Sequence, residues 1–278
     1  MAIALALFSA FTYGLADFVG GLVSRRTSAW AVAVIAQLSA TLSTVVIATF
    51  VPGSPTAHDF AWSVLAGVAA GIGTGFLYRG LASGRMSVVA PVSAVGASLV
   101  PVLAGTVGGE RLSLLVWLGI AFALPGIWLV SSTTDEPTVR AAAADGLVYG
   151  ILAGLGFGVL FAALGQVPEE AGLWPLAAAQ AVSVPAVILL ALGLRVAWVS
   201  HGRAVWWALL VGPLAASATG AFLLATQSGF LAVAGVLASL YPATTVLLAA
   251  VVLHERIHKA QGVGLALCVL AIGLVAGG

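Results

Sequence analysis

The chain has 278 residues, 62% of them hydrophobic and only 7% charged, with a net charge of +1. A soluble domain carries about 25% charged residues, so a water-soluble globular fold is excluded. With a balance so near neutral nothing suggests nucleic acid or an acidic partner, and the single cysteine, Cys268, can form no internal disulfide.

A membrane-crossing helix needs about 20 mostly apolar residues. On that rule the chain contains ten spans: Ala2–Val23, Ala29–Val51, Phe60–Ala82, Ser87–Val107, Leu112–Ser131, Ala144–Gly165, Leu173–Leu194, Ala204–Gln227, Gly229–Leu253 and Lys259–Ala276. The first has no basic residue ahead of it and Arg25-Arg26 behind it, so it reads as a span rather than a cleaved leader. Short turns at Ser83–Met86 and Ser228–Phe230 divide apolar runs too long for one crossing. The longest polar connection, Ser132–Ala143, falls mid-chain.

The chain contains one stretch twice. Placing Glu110-Arg111 on Glu255-Arg256 aligns Tyr78–Ser131 with Leu223–Ala276 without a gap, with 13 identities in 54 positions. Tyr13-Gly14 echoes Tyr149-Gly150, and Gln37 echoes Gln180. The predicted fold is therefore all-α, with ten transmembrane helices as two five-helix repeats, residues 1–133 and 144–278. Five is odd, so the second repeat enters the bilayer from the opposite face. Such inverted repeats recur in secondary transporters, with binding sites at the repeat interface near the midplane.

Glycines at every fourth residue mark two helices: Gly67, Gly71 and Gly75, then Gly146, Gly150, Gly154 and Gly158. This spacing lets helix backbones approach closely. Pro91, Pro101, Pro125, Pro185, Pro213 and Pro242 lie inside spans, where each can kink its helix. Trp30, Trp62, Trp174, Trp198 and Trp206-Trp207 lie near span ends, as in an interfacial belt. Most arginines fall in odd-numbered connections, which charge bias makes cytoplasmic.

The two blocks, Pro91 through Gly109-Glu110-Arg111-Leu112 and Leu240-Tyr241-Pro242 through His254-Glu255-Arg256, resemble the EamA-type domains of the drug/metabolite transporter superfamily. His254 stands where the motif has glycine, and Ile257 where it has leucine. The resemblance implies a ten-helix transporter of small organic solutes with cytoplasmic termini, against the charge bias, which places both termini outside. The first half also resembles the four-helix small multidrug resistance proteins through Ala16-Asp17-Phe18-Val19-Gly20 and Ser93-Ala94-Val95-Gly96. In those proteins the first-helix carboxylate binds protons and cationic drugs. Asp17 stands here where they have Glu.

Asp17 is the one acid well inside a span, and an intramembrane carboxylate is a functional candidate by default. It is read as the proton-coupling residue, with a structural ion pair to Arg25 or Arg26 as the competing reading. Tyr13, Gln37, Ser93, Tyr149, Gln180 and Tyr241 are polar enough to line a substrate cavity or to bond between helices. Glu110, Arg111, Glu255 and Arg256 mark the motif turns, where the acids pair with basic residues or cap a helix. No hydrolase, zinc-protease or phosphate-loop motif is present, so no enzyme activity, catalytic residue, metal or cofactor is expected. The expected activity is proton-coupled export of a metabolite or drug, the alternative an uncoupled facilitator or importer. The expected partners are the lipid bilayer, the solute and protons, in a monomer or homodimer in the inner membrane.

Overall fold

The computed structural model describes residues 1–82, 86–131, 140–200, 202–252, 254, 257 and 259–278. Helices α1 (Ala2–Ser24), α2 (Ala29–Ala48), α3 (Ala57–Ala82), α4 (Met86–Val107) and α5 (Leu114–Ser131) form the first half. Helices α6 (Arg140–Leu164), α7 (Trp174–Gly193), α8 (Ala208–Gln227), α9 (Leu231–Ala238), α10 (Tyr241–Val252) and α11 (Lys259–Gly277) form the second. Among the described residues seven segments, with α9 and α10 taken together as one of them, are long and apolar enough to cross a membrane. Val92–Val107, Leu114–Val130 and Val148–Leu164 are shorter apolar stretches. Glu255, Arg256 and most of the mid-chain connection lie outside the described residues.

Local chemistry sets the helix ends. The Ser28 hydroxyl accepts from the Ala31 amide and starts α2. Thr56 and Asp59 cap α3 reciprocally: the Thr56 amide donates to the Asp59 carboxylate at 2.7 Å, and the Asp59 amide donates to the Thr56 hydroxyl. α8 begins later than the sequence suggests, at Ala208, because Arg203–Trp207 forms a 3-10 turn.

The expected ninth span, Gly229–Leu253, is not one continuous helix. It breaks at Ser239-Leu240 into α9 and α10. Pro242 is the reason: it has no N–H to give, and its ring collides with the carbonyl four residues back, but it fits the first turn of a new helix. The aligned residue in α4 is Ala97, and α4 runs on unbroken. Pro125, Pro185 and Pro213, by contrast, sit inside single helices.

Among the described residues two turns, at Arg195 and His254, hold a non-glycine residue in a left-handed conformation. At the end of α4, Gly109 has φ +96°. The Glu110 amide donates to the Gly105 carbonyl, and the Gly109 amide to the Thr106 carbonyl, closing a Schellman motif. His254, the aligned residue at the end of α10, has φ +57°. Arg195 does the same after α7 at φ +55°.

The packing of the two halves exchanges under the sequence alignment. Gly119 on α5 approaches Ala271 and Val275 of α11, while Gly264 on α11 approaches Gly126 and Val130 of α5. A constant offset of 145 residues converts each contact into the other. Gly67 on α3 meets Ala179 and Val182 of α7, and its counterpart Gly212 on α8 meets Ser39 and Ala40 of α2. A Cβ at Gly67 or Gly212 would lie 2.4 Å from the facing helix, so the small residues set these helix separations. The contacts also pair Gly14, against Tyr241, with Gly154, against Gly96, since Tyr241 and Gly96 are aligned. Gly154 lies one turn beyond the Gly150 that the Tyr-Gly echo suggests. Asp17 then corresponds to Phe157.

The surface is apolar where lipid would lie: Leu42, Leu103, Val251 and Val269 are each more than 60% exposed. Trp30 departs from the expected belt. It is buried, because the bare backbone of Gly75 admits its ring, and it packs edge-on against Phe76.

Candidate functional site

α1 delivers Tyr13 and Asp17 to the middle of the bundle on one face, since residues one turn apart stack along a helix. Gly14 makes this approach possible. A Cβ there would lie 2.5 Å from Thr244 and 2.6 Å from the Tyr241 carbonyl, so α1 can touch the first turn of α10 only at a glycine. The Thr245 hydroxyl donates to the Gly14 carbonyl at 3.2 Å across the same contact.

The Asp17 side chain is half-buried and, among the described residues, receives no hydrogen bond and forms no ion pair. The alternative reading of a pair with Arg25 or Arg26 is therefore absent from this structure. Three tyrosines from three helices lie within electrostatic reach of the carboxyl: Tyr13 of α1, Tyr78 of α3 and Tyr241 of α10. Tyr78 carries no motif in the sequence. Its hydroxyl reaches the site because Gly20, three residues beyond Asp17, leaves space where a Cβ would sit 2.6 Å from that oxygen.

The tyrosine hydroxyls are tied to neighbouring helices. Tyr13 shares a 2.7 Å hydrogen bond with Thr219 of α8, and Tyr241 shares a 3.1 Å bond with Ser93 of α4. The Tyr13 ring lies 6.4 Å from that of Tyr241 and 5.8 Å from that of Phe161. Residues far apart in sequence thus form two hydrogen-bonded pairs, Thr219–Tyr13 and Tyr241–Ser93, whose tyrosine rings are neighbours and both lie within electrostatic reach of Asp17.

Next to it lies a cavity of about 40 Å³, room for a water molecule or two. Its polar lining is Tyr13, Gln37, Thr74, Gln180 and Thr219, and Phe157 contributes to the apolar wall. Gln37 and Gln180 are the two glutamines matched in the sequence. Thr74 and Thr219 are separated by the same offset of 145 as the long alignment, four residues ahead of where that alignment was begun. The Gln37 amide donates to the Thr74 hydroxyl at 3.3 Å. The cavity is therefore framed by two pairs of equivalent polar residues.

Tyr149 is outside this cavity lining; it stacks on Phe76 at 6.1 Å. Glu110 is well away, at the end of the bundle that carries both chain termini. Its carboxylate accepts from the amides of Leu231 and Ala232, capping α9. Arg111 is exposed. Among the described residues no three His, Cys, Asp or Glu side chains group as metal ligands. His58 accepts a hydrogen bond from the Trp62 indole at 3.0 Å.

A bundle of several apolar helices of spanning length, with halves that exchange contacts around a small polar cavity, is a multi-pass integral membrane protein. Over residues 1–132 and again over 144–277 the chain matches the EamA-like transporter family, and it belongs to that family. It is an integral membrane transporter of small solutes. A solved structure described only as "Crystal structure of protein" overlays with a TM-score of 0.69 over 97% of this chain and 95% of that one. At 15% sequence identity that likeness speaks for the fold alone. No match was found among curated proteins.

Proposed function

We propose that the protein is a proton-coupled secondary transporter that exports a small organic solute, most simply one carrying an amine or ammonium group. The observation that carries this reading is Asp17: a carboxyl inside a span, facing three tyrosines, with no cationic partner among the described residues. One carboxylate can take either a proton or a cationic solute, so the two compete for it. Tyrosine faces add cation–π attraction for the same class of solute.

The exchange of contacts between halves supports an inverted repeat, with residues 1–133 and 144–278 trading roles between inward-open and outward-open states. The two faces are clasped by corresponding loops. At one end the Ser54 amide donates to the Glu170 carbonyl at 2.7 Å; at the other Thr27 and Ser200 share a 2.6 Å bond. Opening one clasp while the other holds gives access from one side only. The plasma (inner) membrane is the proposed location.

A second reading is an uncoupled facilitator for a neutral polar solute. It is favoured by the cavity itself, whose polar lining is amide and hydroxyl and does not include Asp17. Purified protein in liposomes holding a pH-sensitive dye separates the two. Proton flux on addition of an amine solute supports coupling; solute uptake without proton movement supports the facilitator.

A further inference from the structure

We infer that the protein holds an acidic phospholipid in a groove at the C-terminal end of α1, with the lipid phosphate on Arg26. The groove has a volume of about 230 Å³ and is lined by Val19, Leu22 and Val23 of α1, by Arg26 in the turn just after it, and by Trp207 across from them. Val19, Leu22 and Val23 have the spacing i, i+3, i+4, which places them on one helix face, and the turn hydrogen bond from the Arg26 amide to the Val23 carbonyl carries Arg26 on from that face. Three are aliphatic and the last is a cation.

This face continues along the helix. Phe8 and Phe11 are half exposed and Leu15 partly so, in the same stripe. At 1.5 Å per residue, Val19 lies about 10 Å deeper along α1 than Arg26. An acyl chain laid along the stripe brings its phosphate to the guanidinium, which offers fork-shaped donors suited to that group. Trp207, 63% exposed, supplies the interfacial indole on the other wall. Asp17 is on the opposite side of α1, so this groove is separate from the transport site.

Charge points to an acidic rather than a zwitterionic lipid. Arg25, Arg26, Arg195 and Arg203 stand in two connections that touch through Thr27 and Ser200. Glu110, Glu169 and Glu170 lie at the other end of the bundle; Asp145, near the start of α6, is an acid at the basic end, and the four arginines outnumber it. Basic residues next to a span attract anionic headgroups.

The test is native mass spectrometry of the full-length protein in detergent, supplied with phosphatidylglycerol, phosphatidylcholine or inorganic phosphate. One phosphatidylglycerol is expected to be retained at least fivefold better than phosphatidylcholine, and inorganic phosphate at equal concentration leaves it in place. Arg26→Gln is expected to cut retention at least fivefold. Val19→Phe, which fills the groove and keeps the charge, does likewise. Arg111→Gln removes the same charge from an exposed turn at the opposite end of the bundle and leaves retention unchanged. Full retention in Arg26→Gln or Val19→Phe, an equal loss in Arg111→Gln, equal binding of phosphatidylcholine, or displacement by inorganic phosphate each overturns the assignment.

Discussion

Glu110, in the turn after α4, caps the first turn of α9 in the other half: its carboxylate accepts from the Leu231 amide and, at 3.0 Å, from the Ala232 amide. Gly109 in its left-handed conformation turns the chain so that Glu110 can do this. Gly105 leaves the carboxylate its place, since a Cβ there would lie 2.2 Å from a carboxylate oxygen. Hydrogen bonds to a charged group contribute about 1.5–3 kcal/mol. Glu110→Ala is expected to destabilise by about that amount, and Glu110→Gln by less, in thermal unfolding in detergent. Hydrogen exchange should accelerate at Leu231 and Ala232 before it does elsewhere. Unchanged exchange at those amides would separate Glu110 from the cap.

His254 occupies the position of Gly109 in the second copy at φ +57°, where an L side chain is strained by about 1–2 kcal/mol. Histidine bears this conformation better than branched residues do. His254→Gly is expected to raise the unfolding temperature, and His254→Val to lower it. Equal unfolding temperatures for all three would contradict the strain argument.

Gly67 and Gly212 are equivalent by contact as well as by alignment. Each valine substitution forces a backbone shift, an overpacking that costs about 1–3 kcal/mol. The two variants are expected to be destabilised to a similar degree, and each to slow transport several-fold. A large effect at one site and none at the other, measured by unfolding and by solute efflux, would contradict the exchange of halves.

Much of the fold was legible in the sequence because hydrophobic runs of spanning length and a repeated Glu-Arg turn are coarse signals that tolerate biased composition. The break at Ser239-Leu240 was less so, since proline in a membrane helix permits a kink or a break and only the packed state decides. Tyr78 and the Thr74–Thr219 pair were missed for different reasons. Tyr78 belongs to no motif, and its reach to Asp17 depends on Gly20 of another helix. Thr74 and Thr219 keep the repeat offset, but a lone threonine in a span usually bonds its own backbone, as Thr219 does with Ala215. Trp30 was assigned to the interface by position near a span end, whereas the gap over Gly75 draws it inward.

Orientation can be read from introduced cysteines, because the natural Cys268 is buried. Ser24, at a span end, is unsuitable because it is 3% exposed and would resist any reagent. Gly202 and Glu169 are exposed at opposite ends of the bundle. If charge bias governs insertion, Glu169→Cys is labelled by an impermeant thiol reagent in intact cells and Gly202→Cys is protected. The reverse pattern would place both termini in the cytoplasm, as the family resemblance implies.

The central claim is that Asp17 exchanges a proton for the solute. Asp17→Asn replaces the acid by an amide of the same shape and should leave folding intact. Asp17→Glu keeps the carboxyl one methylene further out and should retain part of the activity. The measurement is efflux of an amine solute from proteoliposomes, with and without an imposed pH gradient. The account predicts that the gradient accelerates efflux at least tenfold in the parent, several-fold in Asp17→Glu and not at all in Asp17→Asn. An Asp17→Asn protein that responds to the gradient as the parent does would contradict it and leave Asp17 a structural residue.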